Sequence, residues 1–475
     1  MRHGLGKLGT FSAFVALCGG LGAASGSAWA ADDVHAHAAH RHDKTVVRIG
    51  ALVDQTGAST SPLFRTAVEL AASQMNQALA RARSRLAIEV VYGDTKSNPA
   101  QGQAEALRLI NQEGAVALVS DSSGVTVAVN KLNYDPASPA KRKVPITCFQ
   151  CSSGFINDAK VVESDPMTQA AERDLDNWLF RVFYIANYEA AVLTQIAVKT
   201  TNNGQGNGDG NFKIGIFADG GHRSLATAIA NTVKSFHSGP SSTEITYFSS
   251  VANLAADWAK VVDNRNEATG QTDGIPDVVV VAMLPNEAAE AIKAYRQGGH
   301  AIPILSNNSF RRNYILKQIG PVANGLEGSS VTLVDKSKSG EAFLNAFKAA
   351  TGGLPEVTSS GAYDATVSLM LAAVAAAGNA RKPQEVTAAG IREALTKIND
   401  PKGRKVRPTP KDFASAVQTL HRGKPINYEG AYNSLDWDAV GDIYPPLVHW
   451  KVENAQFVEY ELYDCNPQKP LCPAK

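Results

Sequence analysis

The sequence predicts an α/β protein of two doubly wound parallel-sheet units, and three observations predict it. Apolar runs of strand length alternate with amphipathic runs of helix length over most of the chain. The alternation restarts once, near residue 178. The 475 residues also exceed what one ordinary hydrophobic core organises.

In chain order, "VVRIGALVD" is a buried strand, and a helix follows from Phe64 to about Leu79 with Phe64, Val68, Ala71, Met75 and Leu79 on one stripe. The first unit continues with the strand "LAIEVVYGD", a helix near Gln103 to Gln112, the strand "AVALVSD", a helix beginning near Ser123, and the strand "VPITCF". Such alternation places helices on both faces of a parallel sheet. The second unit begins at "NWLFRVFY", and strands at "FKIGIFAD", "TEITYFS", "PDVVVVAML" and "IPILSNN" alternate with helices at "YEAAVLTQIAVKT", "SLATAIANTVKSF", "AADWAKVVDNR" and "NEAAEAIKAYRQGG". The Gly/Asn-rich "TNNGQGNGDGN" reads as a surface loop, because it lacks the ligand spacing of a calcium loop. Helices are expected near 340–350, 363–377 and 386–397, the middle one carrying Tyr363, Val367, Met370, Val374 and Ala377 as a stripe for a sheet face. "LVHWKVENAQFVEYEL" closes the chain as a hairpin turned at "ENA".

Residues 1–30 have the pattern of a secretory signal. Arg2 and Lys7 precede an apolar run, and Ala28 and Ala30 mark cleavage after Ala30. Lipidation at Cys18 fits less well, because Leu17 stands where a small residue is wanted. No later run reads as a membrane span. Residues 31–45 read as a His-rich disordered arm with His35, His37, His40 and His42; imidazoles at this density could capture Zn or Ni, but with no fold to fix their geometry adventitious binding is the favoured account. The 46 basic and 45 acidic residues nearly cancel, so nothing in the charge balance suggests nucleic acid or an anionic membrane as partner. Beyond the signal stand Cys148, Cys151, Cys465 and Cys472, an even count that in an oxidising compartment reads as two disulfides with three pairings to choose from.

Ser122 and Ser123 follow a strand and open a helix, so hydroxyls and free backbone N–H groups converge as at an anion site; a plain helix cap is the competing account. Two parallel α/β sheets also build enzymes. No GxGxxG follows a strand, however, and GxxxxGK[ST] and GxSxG are absent. His222 in "DGGHRS" is the one histidine in a loop that could face a cleft between strand ends, and a surface histidine is the favoured account.

Several strings, in order, resemble the type I periplasmic solute-binding proteins of ABC transporters, in the branched-chain amino acid and amide group: "IGALVDQTGAS", "VVYGDTKSNP", "LVSDSSGVTVAV", "LFRVF", "LSNNSF", "LEGSSV", "AYDATVSLMLAAVAAAG" and "YEGAYNSLDWDAVGD". The resemblance covers Arg48 to about Tyr463. It implies two lobes joined by three crossovers: 46–178 with 329–424, and 179–328 with 425–463, followed by a tail at 464–475. It further implies a monomer in the periplasm that closes by a hinge on a small polar organic ligand and delivers it to ABC permease subunits, with no cofactor and no catalysis. The alternative is a sensor that presents solute to a receptor.

By the same resemblance the carboxylate-binding serine falls on Ser122, with Ser123 beside it at the helix start as a further ligand candidate, and the loop after "VPIT" brings Gln150 and Ser152 to the ligand. Asn308 lies in the loop after "IPILS", and Tyr363 starts its helix beside the cleft. That "IPILS" loop departs from the amino-acid binders, since amides stand where an acid would hold the ligand ammonium. Asp219 or Glu189 could supply the missing carboxylate. In this setting Cys148–Cys151 reads as a disulfide stiffening the pocket rim and Cys465–Cys472 as one tying down the C-terminus. A redox pair would sit at a helix start, whereas "SSG" continues as loop. A zinc site would need ligands from the far end of the chain, and cross-pairing between the two clusters stays open.

Overall fold

The computed structural model describes residues 44–266, 269–332, 336–469 and 471–475. The signal segment, its cleavage site and His35 to His42 lie outside the described residues. The chain runs β1 (Thr45–Val53), α1 (Pro62–Arg81), β2 (Leu86–Asp94), α2 (Pro99–Asn111), β3 (Ala117–Ser120), α3 (Ser123–Tyr134), β4 (Ile146–Cys148), α4 (Pro166–Arg173) and β5 (Leu179–Arg181). It continues with α5 (Ala186–Thr200), β6 (Phe212–Ala218), α6 (Arg223–Thr232), β7 (Ser241–Tyr247), α7 (Leu254–Val262), β8 (Val278–Ala282), α8 (Pro285–Gln297), β9 (Ile304–Ser306), α9 (Asn313–Ile319) and β10 (Glu327–Val331). The last part is α10 (Lys338–Thr351), α11 (Ser359–Ala377), α12 (Ala388–Ile398), β11 (Arg404–Val406), α13 (Pro410–Leu420), β12 (Ile426–Tyr428), β13 (Leu447–Glu453) and β14 (Gln456–Tyr463).

Strands β2-β1-β3-β4-β5 form a wholly parallel sheet. A second sheet, β14-β13-β10-β9-β8-β6-β7, is parallel except for the antiparallel hairpin at one edge. Both faces of a parallel sheet are covered, so its inner strands are apolar throughout, and every residue of β6 and β8 is buried. The predicted stripe on α1 is buried to the last residue. Ser61 caps that helix and Asn98 caps α2, each followed by a proline in the first turn. The hairpin turns at Asn454 and Ala455, both with positive φ (51° and 58°), the hand that matches strand twist.

Three expectations change. Helix α11 is not striped: every residue except Ala375 is buried, and the helix packs on α1, α12 and α13. It is long and apolar enough to cross a membrane by composition, but burial on all sides marks it as a core helix. The expected lobe boundary at 328/329 cuts through β10, which pairs along its whole length with β13 and also with β9, so the chain leaves the second sheet only after Val331. The segment from 425 does not join the second sheet at once. Asp364 of α11 accepts hydrogen bonds from the Tyr428 hydroxyl (2.7 Å) and the backbone N–H of Ala431 (2.9 Å) and Tyr432 (2.7 Å), holding this stretch on the first unit's helices.

Both disulfides are local, Cys148–Cys151 and Cys465–Cys472. The first is buried beneath the rim, in a small apolar cluster with Val127, Ile156, Ala171 and Leu179. The second holds the tail on α5, where Gln195 donates to the carbonyls of Leu471 (2.9 Å) and Cys472 (3.1 Å).

Candidate ligand-binding cleft

The carboxyl ends of the strands in both sheets face one cleft of about 390 Å³. The first sheet contributes Asp121, Ser122 and Ser123 after β3 and Gln150 and Ser152 after β4. The second contributes Asp219 and His222 after β6, Leu284 and Glu287 after β8, and Asn308, Ser309 and Arg312 after β9. Phe183 and Tyr184, just past β5, supply an aromatic wall with ring centroids 4.4 Å apart.

Ser122 is the N-cap of α3 in extended backbone (φ −152°), yet its hydroxyl does not cap the helix. The opening N–H groups of this twelve-residue helix are therefore left toward the cleft. Ser123 is partly committed, accepting from the Ser153 N–H at 3.1 Å. Beneath them Asp121 accepts from the Thr95 hydroxyl (2.6 Å), while its other oxygen has no partner among the described residues. Burial, with a smaller push from Asp54, raises the Asp121 carboxyl to about 7, so below that pH it presents an O–H and not a negative charge.

Gln150 spans the cleft floor. With its amide oriented to satisfy both ends, it donates to the Asp121 carbonyl (3.0 Å) and accepts from the Thr358 hydroxyl (2.8 Å) and the Arg312 guanidinium (3.2 Å). Arg312 is buried, donates to the Arg311 carbonyl at 3.2 Å, and forms no ion pair among the described residues. Burial lowers its pKa, and the pull of Glu356 and two tyrosines does not restore it. The neighbouring Arg311 differs, being paired with Glu459 at 2.8 Å. A buried guanidinium one amide away from an open helix start has the donor groups and charge that suit a planar anion.

The opposite wall holds a hydrogen-bonded row. His222 Nδ1 meets Asp219 at 2.8 Å and His222 Nε2 meets the Ser309 hydroxyl at 3.1 Å. Its residue types are those of an acyl-transfer triad, which sequence motifs could not reveal because Ser309 lies far from His222 in the chain. Burial would lower the His222 pKa, but Asp219, Glu189 and Glu287 outweigh it and raise it. When protonated, the imidazole donates to Ser309 and cannot accept the serine proton. Asp219, pulled down by His222 against its burial, also accepts from the N–H of His222 (2.9 Å) and Leu284 (2.6 Å). The expectation of a surface position for His222 is thus overturned, since the turn after β6 folds it inward.

Of the residues expected at the ligand, Ser122, Ser123, Gln150, Ser152 and Asn308 line the cleft. Asn308 is nearly consumed by the fold, its N–H donating to Glu189 (2.7 Å) and its side-chain oxygen accepting from Val331 N–H (3.3 Å). Glu189 sits behind it, also taking the Tyr184 hydroxyl at 2.7 Å, and burial raises its carboxyl to about 7. Tyr363 is not at the cleft. It is fully buried, donates to Gln74 and packs on Phe343 at 5.1 Å, because the face of α11 that carries it points into the helical layer. Arg312 was missed at the sequence level, where it follows Arg311 and reads as one of a charged pair.

Two parallel sheets whose strand ends meet at a polar cleft, one of them edged by a terminal hairpin, define the fold of the type I periplasmic binding proteins. The chain belongs to the periplasmic binding protein family, whose family model matches residues 46–204 and 252–420. The intervening stretch with Asp219 and His222 lies outside that match. Among solved structures, it is similar to a leucine binding protein from Thermotoga maritima (17% identity, TM-score 0.63, covering 89% of this chain and 99% of that one). It is also similar to an ABC transporter solute binding protein from R. palustris in complex with 4-hydroxybenzoate (16%, 0.63, 89% and 98%). A third is a branched-chain amino acid transporter substrate binding protein from Streptococcus pneumoniae in complex with isoleucine (18%, 0.58, 88% and 100%). At these identities the likeness is one of fold. No curated protein matches the chain.

Proposed function

We propose that this protein is exported by its N-terminal signal, captures a small organic carboxylate in the cleft as a monomer, and delivers it to an ABC permease without altering it. The observation that carries this reading is Arg312, a buried guanidinium that pairs with no carboxylate among the described residues and reaches the open start of α3 through Gln150. Leaving such a charge without an anion is costly, whereas a ligand carboxylate would satisfy it, the helix N-terminus and Ser122 together. The lobes that close are the two sheets with their helices, the chain passing between them after Arg181, after Val331 and before Leu447. Ser309, turned outward by His222, and the aromatic pair Phe183 and Tyr184 would contact the rest of the ligand.

The test is thermal shift of the mature protein against carboxylates and their matching amides, since a ligand that binds only the folded state raises the melting temperature. Carboxylates should stabilise and amides should not, and the carboxylate should be recovered unchanged. Stabilisation by amides or amines alone would refute the anion reading, and recovery of a chemically altered ligand would refute the transport role.

A further inference from the structure

Beside the main cleft lies a second chamber of about 350 Å³. The two are adjacent, with Pro99, Ser123, Gly124, Gly220 and Gly221 lining both. Its outer wall is the long segment between β4 and β5, which Cys148–Cys151 anchors through the cluster containing Ile156 and Ala171. Across the chamber Glu163 of this segment meets Arg223 of α6 at 3.8 Å, and Arg223 lies 6.0 Å from the Phe155 ring. On the α3 side Lys131 is paired with Asp165 at 2.8 Å. Both cations are therefore taken.

Glu172, at the end of α4, is different. It lines the chamber and is 8% exposed, but its carboxylate has no hydrogen bond or ion pair among the described residues, and one oxygen is sealed from solvent without a partner. Buried carboxylates ordinarily have partners, and an unpaired one destabilises the fold that holds it. Burial and then the charge of Glu163 raise its carboxyl to about 7, which eases the penalty without supplying the missing contact.

We propose that the 155–178 segment builds a second ligand subsite, in which Glu172 receives a hydrogen-bond-donating end, hydroxyl or ammonium, of a ligand whose other end is the carboxylate held at Arg312. The ligand class is then an elongated hydroxy or amino acid with its two groups at opposite ends. This rests on the carboxylate reading above, and the test separates the two.

Hexanoate, 6-hydroxyhexanoate, 6-aminohexanoate and hexylamine are titrated by calorimetry into the mature protein and into its Glu172→Leu and Arg312→Met variants. Glu172→Leu should fold, with a raised melting temperature near neutral pH, because it removes an unpaired buried group. One or both of the terminally substituted acids should bind roughly tenfold more tightly than hexanoate, as one hydrogen bond to a charged group allows. That margin should vanish in Glu172→Leu with hexanoate unaffected, while Arg312→Met should weaken all three acids. Which substituted acid shows the margin identifies the donor. Acids that depend on Arg312 but show no margin, or a margin that survives Glu172→Leu, would overturn the subsite alone. Hexylamine binding that depends on Glu172 and not on Arg312 would keep the subsite and overturn the carboxylate reading. No binding by any of the four would overturn both.

Discussion

Arg312 and Ser122 line the cleft from opposite sheets, and the chemistry of each sets a different expectation. Arg312→Met removes a buried charge that has no carboxylate partner among the described residues, so folding should be unharmed. Carboxylate affinity should fall by about 2–5 kcal/mol, the range for removing one side of a buried charged pair. Calorimetry beside a melting curve checks both, and a loss of stability without loss of affinity would make Arg312 a structural residue. For Ser122→Ala the expected loss is smaller, about 1–3 kcal/mol of affinity with the fold intact. Because the Ser122 hydroxyl does not cap α3, unchanged helix stability is part of the prediction. Tyr363 shows the limit of reading residues singly. An aromatic at the head of an apolar helix looks the same in sequence whether it faces a cleft or a core, and the orientation of one helical turn decided the matter.

Between elements, the most consequential contact is Arg181 with Asp442 at 2.9 Å, both side chains almost completely buried. Arg181 ends β5, where the chain first leaves the first sheet, and also donates to the carbonyls of Ser153 (3.0 Å) and Ile156 (2.6 Å). Asp442 belongs to the returning segment and accepts from Asn157 at 2.9 Å as well. One ion pair thus joins a passage between the sheets to the wall of the second chamber. Arg181→Leu leaves Asp442 buried without its partner and should cost about 3–5 kcal/mol of stability. The double variant Arg181→Leu with Asp442→Leu should recover part of that loss. Denaturant unfolding of the two variants decides it, and equal stabilities for single variant and parent would show that the pair contributes nothing.

For the whole molecule, the group of carboxyls raised by burial fixes the pH response. Asp121, Glu172 and Glu189 each stand at about 7 when folded, well above ordinary carboxylate values. The folded chain therefore holds protons that the unfolded chain has released. Their contribution is fully present below the unfolded pKa and is lost as pH rises through about 7. His222, raised mainly by Asp219 against its own burial, loses its contribution in the same direction. The melting temperature of the ligand-free protein should fall between roughly pH 5 and pH 8, as scanning calorimetry at matched ionic strength would show. A rise over that interval would mean these groups are ionised in the fold.

The sequence by itself determined the alternation of elements, the restart that makes two parallel sheets, the terminal hairpin, and the place of Ser122 and Ser123 at a helix start. These depend on local periodicity, turn chemistry and helix ends, which neighbouring residues encode. It did not determine that α11 is buried on all sides, that β10 belongs wholly to the second sheet, that His222 turns inward to Ser309, or that Arg312 and Glu172 form no ion pair among the described residues. Each of those is a statement about groups far apart in the chain. Burial and the absence of a counter-charge are properties of what surrounds a side chain, and only tertiary packing brings those surroundings together.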